Sequence, residues 1–370
     1  MAEPVLSQRA LGRALLRRQG LLERSRTPAL EMIERLVGMQ AQVPENPYVA
    51  LWSRLDGFRP EELSELIERR AAVRAGLMRS TLHLVSARDC LAIHPLTLPV
   101  LGKTFNSPFA PLLNGADVDA VVAAGVELLE EAPRTRAQLS ALLAERFPEA
   151  DASALGYAVT LKAPLVQTTP RGLWRQTGQA TWALAEQWLG AEIEPRPSVD
   201  GLVLRYLAAF GPASVADLRT WCGITGLREV VARLRPQLRS FRAEDGKELL
   251  DVPDGAFADP EVPAPVRFLP EYDNLLLSHA DRARVLCGLG PGLPYPTGKW
   301  IGQLLLDGCF RSYWEITTED GVATLTIDRF SPVPDDPPGS LDEIAAEGER
   351  LLEFVAPDAE ERRLRFEPSP

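Results

Sequence analysis

One pattern recurs three times over residues 5–252: helical segments followed by a short alternating segment that a turn interrupts. The third copy is the clearest, with helices predicted at 200–210, 215–222 and 227–235. Ser214 is an N-cap residue for the second of these helices. Residues 238–252 follow as a hairpin, because 244–247 form a polar turn between apolar strands. Helices closed by a strand pair form a winged helix, so the repeats predict winged helices in tandem.

The sequence predicts an α+β fold with three tandem winged-helix units and a C-terminal β-rich unit. Residues 1–103 contain a helical N-terminus and the first winged helix, 104–195 the second and 196–265 the third. From residue 266 to 370 the pattern changes, with strands predicted at 266–270, 284–286, 301–306, 312–317 and 322–330. An amphipathic helix at 341–354 is predicted to close this last unit.

Composition sets outer limits on the function. The 370 residues are 45% hydrophobic and 25% charged, which is typical of a globular protein. No apolar run of eighteen residues and no apolar leader segment occur, so a cytoplasmic protein without a membrane span is expected. The net charge of -11 argues mildly against nucleic-acid binding, although a basic groove can lie on an acidic protein.

The cysteines and histidines favour neither a metal site nor a disulfide. Cys90, Cys222, Cys287 and Cys309 are far apart without a C-x-x-C pair, and the chain has three histidines. Free, mostly buried thiols in a reducing compartment are therefore expected, with no metal. No P-loop motif is present, and no cofactor is predicted.

The candidate catalytic groups lie in Gly38-Met39-Gln40-Ala41-Gln42. A helix is predicted from Thr27 to Gln42, because Thr27 is an N-cap residue and Pro44 disfavours helical dihedrals at the residue before it. Side chains two residues apart converge where a helix unwinds, which would bring the amides of Gln40 and Gln42 together. The alternative is two amides at a helix end that backbone groups satisfy.

This stretch, together with 46–55, resembles the bacterial alkylpurine DNA glycosylases of the AlkZ type. Further stretches that resemble the family are Arg79-Ser80-Thr81-Leu82-His83-Leu84, residues 269–282, and residues 307–314, where Ser312 stands in place of a common glycine. The resemblance covers most of the chain. It implies tandem winged helices and an active site that contains a Gln-apolar-Gln motif.

The resemblance implies roles for individual residues. Gln40 and Gln42 would hold the hydrolytic water, supported by Asn46 and His83. DNA contacts would come from Arg79, Ser80 and Thr81, and from Arg311 at the tip of a hairpin that enters a groove. The second wing adds Arg171, Trp174 and Arg175 as candidates for DNA contact, because it offers two guanidiniums and an indole. Alternatives stay open: His83 and Trp174 as core residues, and Arg79 paired to a local carboxylate. Glu271 and Asp273 suggest a carboxylate pair, but a structural turn is favoured.

The expected function is that of a monomeric, monofunctional DNA glycosylase without a cofactor. Its substrate would be double-stranded DNA that carries alkylated purines, with N7-alkylguanine as the base released, including bulky or crosslinked adducts. Its context would be DNA repair or self-resistance to alkylating natural products. The alternatives are a non-enzymatic DNA-binding regulator, which would bind symmetric half-sites as a dimer, and a winged-helix scaffold without DNA affinity.

Overall fold

Helices and three sheets form the fold in the computed structural model, which describes residues 3–289, 302–328 and 339–367. The α+β class is thereby confirmed. The helices are α1 (Gln8–Arg18), α2 (Ala29–Arg35), α3 (Asn46–Arg54), α4 (Pro60–Glu68), α5 (Ala87–Asn106), α6 (Val118–Glu131), α7 (Arg136–Arg146), α8 (Ala152–Lys162), α9 (Ala185–Leu189), α10 (Val199–Phe210), α11 (Val215–Cys222), α12 (Leu227–Leu234), α13 (Asn274–Leu277), α14 (Ala283–Leu286) and α15 (Ser340–Val355). No helix in these ranges is long and apolar enough to cross a membrane.

The strands are mostly short and fall into three sheets of three, six and five strands. They are β1 (Val5–Leu6), β2 (Met39–Gln40), β3 (Ala72–Gly76), β4 (Leu82–Ser86), β5 (Arg134–Thr135), β6 (Leu165–Gln167), β7 (Thr181–Leu184), β8 (Arg239–Ala243), β9 (Glu248–Asp251), β10 (Arg267–Leu269), β11 (Gly302–Leu306), β12 (Cys309–Glu319), β13 (Val322–Asp328) and β14 (Glu361–Phe366).

The third repeat follows its predicted course. Helices α10, α11 and α12 precede the β8–β9 hairpin, and Ser214 caps α11 by accepting from the Asp217 N–H. The N-terminus departs from its prediction, because Val5–Leu6 is a strand that pairs in parallel with β8. Residues 1–103 and 196–265 therefore share a sheet.

The first two repeats also share a sheet, of order β2-β4-β3-β6-β7-β5. Its central pairing joins the two repeats, with Arg74 opposite Gln167 and Ala75 opposite Val166. Helix α5 continues through Pro95 and Pro99 to Asn106, so the predicted boundary at residue 103 lies inside a helix. The second hairpin, predicted within 165–176, is longer than expected, since 168–180 form a loop and its second strand is β7.

The C-terminal part is a five-stranded sheet, β10 to β14 in order, covered by α15. Residues 284–286 form part of helix α14, so the predicted strand there is wrong. Strand β14 is parallel to β13 and was not predicted. The predicted strand ends at 301 and at 329–330 lie outside the described residues.

A disulfide joins Cys287, at the end of α14, to Cys309, the first residue of β12, with Cα atoms 5.8 Å apart. The expectation of free thiols is therefore wrong for this pair, since the fold brings together two cysteines that are 22 residues apart. Cys90 and Cys222 are buried free thiols, as expected. Burial raises the pKa of Cys90 to about 12 and that of Cys222 to about 11, which keeps both uncharged.

Two buried ion pairs hold distant segments together. Arg54 in α3 donates two hydrogen bonds of 2.7 and 2.8 Å to the carboxylate of Asp273, which also caps α13. Arg18 makes a similar two-bond pair with Asp251 in β9. Asp273 is thus a structural residue, as the sequence favoured, but its partner is Arg54.

Replacing Asp273 by Asn should lower the free energy of unfolding by about 3–5 kcal/mol, because Arg54 would keep its buried charge without a counter-ion. The matched control is Asp56→Asn, at an exposed pair with Arg26, where about 0.5 kcal/mol or less is expected. Urea unfolding of both variants measures the difference. An equal loss of unfolding free energy in the two variants would contradict a stabilising role of the buried Arg54–Asp273 pair.

Candidate active site

Helix α2 ends at Arg35, well before the predicted end at Gln42. Val37 and Gly38 have left-handed backbone, with φ of 54° and 92°, and the Gly38 N–H donates to the Ile33 carbonyl at 2.9 Å. This arrangement is a helix-terminating turn. A Cβ on Gly38 would lie 2.6 Å from Val85 Cγ1, so glycine is required there. Gln40 therefore lies on strand β2, and the predicted helical extension is wrong.

The two glutamines are two residues apart, with Gln40 on strand β2 and Gln42 in the bend that follows it. Gln40 lies opposite His83, and the Ala41 N–H continues the pairing to the Leu82 carbonyl at 2.8 Å. Their surroundings differ, since Gln40 is 8% exposed whereas Gln42 is exposed to solvent. Gln40 borders a cavity of about 10 Å³, enough for one water, and Gln42 borders a separate one of about 400 Å³.

A chain of hydrogen bonds fixes the Gln40 amide. Its Oε1 accepts from Arg79 Nη2 at 3.0 Å, and the same nitrogen lies 3.4 Å from His83 Nε2. Burial lowers the pKa of His83 to about 3, so the ring is neutral at physiological pH. His83 Nδ1 lies 3.0 Å from the Thr81 carbonyl and donates to it, which leaves Nε2 as the acceptor that faces Arg79.

Arg79 does not lie in position to hold a phosphate. Its guanidinium donates to the Trp221 carbonyl at 2.6 Å as well as to Gln40, and burial lowers its pKa to about 10. Its backbone is left-handed, as is that of Ser80, which turns the side chain inward. In this conformation the guanidinium is engaged with Gln40 and Trp221, and the phosphate contact stays a prediction. No carboxylate partner of Arg79 occurs among the described residues.

Backbone groups fix the other half of the motif. Gln42 Oε1 accepts from the Leu82 N–H at 3.2 Å, and the Ala41 carbonyl between the two glutamines accepts from Arg74 Nη2 at 2.7 Å. Neither glutamine's NH₂ group has an acceptor among the residues that the structure describes. Each amide oxygen accepts one bond and keeps a second lone pair, so Gln42 can still accept from a water.

Asn46 does not support the glutamines directly. Its Nδ2 donates to the backbone carbonyl of Glu271 at 2.7 Å and so joins the start of α3 to the loop before α13. Glu271 is buried, burial raises its pKa, and its Oε2 has no hydrogen-bond partner within the described ranges. Asn46 therefore connects two elements near Gln40.

The hydroxyls of Ser80 and Thr81 have internal partners although both residues line the larger cavity. Ser80 donates to the Val100 carbonyl at 3.2 Å, and Thr81 donates to the Met78 carbonyl at 3.1 Å. Arg171 is half-buried and donates to the Gly178 carbonyl at 3.0 Å. These groups stabilise the loops around the cavity, and as placed they are not a row of phosphate donors.

Trp174 and Arg175 face the C-terminal helix. The Trp174 ring lies 4.8 Å from that of Tyr48 and 5.4 Å from that of Phe354, so the core alternative fits and base stacking does not. Arg175 forms an ion pair with Asp358 at 2.8 Å and donates to the Val355 carbonyl. In this structure both residues, which were predicted to contact DNA, contact other residues of the protein.

The hairpin predicted to enter a DNA groove has a packed tip. Arg13 of α1 donates to the Asp307 carboxylate and to its carbonyl, and a Cβ on Gly308 would lie 2.4 Å from Leu16. Arg311 follows this turn and is half-buried. The tip is held against α1, so insertion of this turn into a groove is not available in this conformation.

A cation on the wall of the larger cavity was not predicted from the sequence. Arg136 lies on its wall and stacks over Tyr157 at 4.0 Å. Lys162 follows the lining residue Leu161 and Lys103 is two residues after the lining residue Leu101, but neither lysine itself lines the cavity. None of the three cations has a carboxylate partner within the described ranges, whereas many other arginines do. No cluster that could hold a metal ion occurs in the same ranges.

Comparison with known proteins gives the class and the family. The family model of AlkZ-like DNA glycosylases matches residues 33–354. The chain therefore belongs to the AlkZ-like DNA glycosylase family, and it is an enzyme that hydrolyses N-glycosyl bonds of DNA and acts in DNA repair.

A solved structure shows the same fold. The DNA glycosylase AlkZ of Streptomyces sahachiroi superposes with a TM-score of 0.75 at 19% sequence identity, over 98% of this chain and 100% of that chain. No curated protein matches the sequence.

Replacing Arg79 by Met should slow single-turnover base release at least about tenfold, because Gln40 loses its donor. DNA affinity and its salt dependence should not change. The control is Arg136→Met at the rim, which should lower the slope of log affinity against log salt by about 0.9. A lower slope of log affinity against log salt in the Arg79 variant would instead show that Arg79 contacts a phosphate.

The three buried histidines predict acid sensitivity. Burial lowers the pKa of His83 and His279 to about 3 and that of His94 to about 4, below the ordinary value of 6.5. The unfolded chain then binds more protons, so stability is complete above pH 6.5 and declines as the pH falls toward these values. Each histidine contributes up to about 1.4 kcal/mol per pH unit.

Urea unfolding between pH 7 and 5 measures this decline. The variant His94→Leu should show a slope smaller by up to one proton than the parent. Equal slopes in the two proteins would mean that His94 is not held neutral.

Proposed function

We propose that the enzyme releases N7-alkylated guanine from double-stranded DNA by simple hydrolysis, with Gln42 holding the attacking water. The observation that carries this assignment is the position of Gln42: an exposed amide, fixed by the Leu82 N–H, on the wall of an open cavity. Hydrolysis without a lyase step makes the enzyme monofunctional, and it needs no cofactor.

The leaving group explains why a neutral amide is sufficient. N7-alkylguanine carries a positive charge, so it departs without strong general-acid help. The remaining requirement is to place a water against a sugar that develops oxocarbenium character. The free lone pair of Gln42 Oε1 can accept a hydrogen from this water and present a negative dipole end to the cation. Such a contact contributes about 2–4 kcal/mol by analogy with single oxyanion-hole donors.

Gln40 has an indirect role in this proposal and does not touch the attacking water. Its amide borders the one-water cavity rather than the larger one, and Arg79 and His83 fix its orientation. We therefore assign to Gln40 a positioning role, holding the strand and a buried water beneath Gln42. This differs from the expectation that both amides hold one water, because the two side chains border different cavities.

DNA would be bound beside the larger cavity by Lys103, Arg136 and Lys162, none of which has a carboxylate partner in the described part of the chain. The observed order of helices and hairpins supports three winged-helix units, and the unit limits at 103/104, 195/196 and 265/266 stay part of this proposal. Membership of a glycosylase family favours the enzyme over a regulator or a scaffold. We further propose a monomer in the cytoplasm.

The size of the cavity beside Gln42 leaves room for substrates larger than methylated guanine. We include bulky and crosslinked N7 adducts in the proposed range, and with them a role in repair or in self-resistance to alkylating natural products. Release rates with duplexes that carry methyl and bulky N7 adducts would rank these substrates.

The test is formation of abasic sites in an N7-methylguanine duplex. Gln42→Ala should slow single-turnover release by about 10²–10³, while Gln42→Glu, which keeps an acceptor, should stay within about tenfold of the parent. Gln40→Ala should also reduce release, and all variants should bind DNA within a few-fold of the parent. The matched control is Gln237→Ala at an exposed site outside both cavities, with no change expected. If the Gln42→Ala variant releases the base as fast as the parent, the attacking water is not held by Gln42.

A further inference from the structure

The 400 Å³ cavity beside Gln42 has the dimensions of a small-molecule site. It lies between the loop end of the β3–β4 hairpin, the C-terminal part of α5 and the second repeat, where α7, α8, β6 and β7 contribute its other walls. Gln42 forms part of the wall, so a group held in the cavity would lie next to the proposed site of hydrolysis.

One aromatic side chain on the wall of this cavity packs partly against the core of the second repeat and has no stacking partner among the described residues. Trp182 lines the cavity, is half-buried and makes no ring contact with another aromatic or cationic side chain in the described part of the chain. Tyr157, on the opposite wall, has Phe109 and Arg136 each at 4.0 Å, so both of its faces are occupied. Trp182 therefore offers the surface for a planar ligand.

A buried acceptor lies beside this indole. Gln167 lines the cavity and is 7% exposed, and its Oε1 has no hydrogen-bond partner among the described residues. Gln167 is directly opposite Trp182 in the β6–β7 pair, so both side chains project from the same face of the sheet. A buried acceptor without a donor is costly unless a ligand supplies one.

We propose that this cavity receives the alkylated purine base itself, turned out of the duplex. The ring plane would lie against Trp182, and donors on the Watson–Crick edge would face Gln167 Oε1. This inference rests on the proposed release of N7-alkylguanine. An alkyl substituent alone gives Gln167 no hydrogen, whereas guanine presents N1–H and N2–H groups on one edge. Stacking together with edge recognition is the way in which extruded bases are held.

The experiment measures binding of free 7-methylguanine to the intact protein by calorimetry, beside its release from a 7-methylguanine duplex. Gln167→Leu and Trp182→Ala should each weaken binding of the free base about tenfold or more and slow release by a similar factor. Trp182→Phe, which keeps a stacking ring, and Gln237→Leu, outside the cavity, should stay within about threefold. Affinity for undamaged duplex and the melting temperature should be those of the parent.

Three results would overturn the inference. The parent could release 7-methylguanine from DNA yet bind no free base, or the Gln167 and Trp182 variants could bind and release it as the parent does. The variants could also lose release of bulky adducts alone, which would make the cavity a site for the substituent. In each case the glycosylase assignment stands. A parent that releases no 7-methylguanine from DNA contradicts the proposed function first, and this inference with it.

Discussion

The candidate active site depends on the left-handed backbone at Val37 and Gly38, which ends α2 and directs the chain onto the edge of a sheet. Had the helix continued, Gln40 and Gln42 would face nearly opposite ways. Because it stops, Gln40 pairs with His83 and the Gln42 side chain bonds to the Leu82 backbone. The amides of the proposed catalytic pair are thus oriented by Arg79 and by the Leu82 N–H, which would give the preorganisation that a neutral catalyst requires.

The strand edge that carries the Gln-x-Gln motif lies beside a cavity because the first two repeats share one sheet. The pairing of Arg74 with Gln167 makes one sheet of two hairpins, so a wall from the second repeat lies across from the motif of the first. Arg74 also fixes the Ala41 carbonyl between the glutamines. A change in this junction would therefore affect both the motif and the cavity beside it.

The sequence predicted the elements whose ends are set by residues nearby in the chain. The caps and breakers around α10, α11 and the β8–β9 hairpin act within a few residues, and those elements lie where expected. It could not show that Gly38 must approach Val85, so the end of α2 was misplaced. The sequence marks the Gln-x-Gln motif as a candidate, but the partners of Arg79, Trp174 and Arg175 come from segments 39 to 180 residues away, and a linear pattern carries no such distances.

The most direct test is a structure of the enzyme on duplex DNA in which a cationic azasugar replaces the target deoxyribose. The account predicts a water that donates to Gln42 Oε1 at about 2.7–3.0 Å and lies against the anomeric position of the azasugar. Arg79 should still hold Gln40 in that complex. A sugar bound on another face of the protein, with Gln42 remote from it and no water between them, would contradict the central claim.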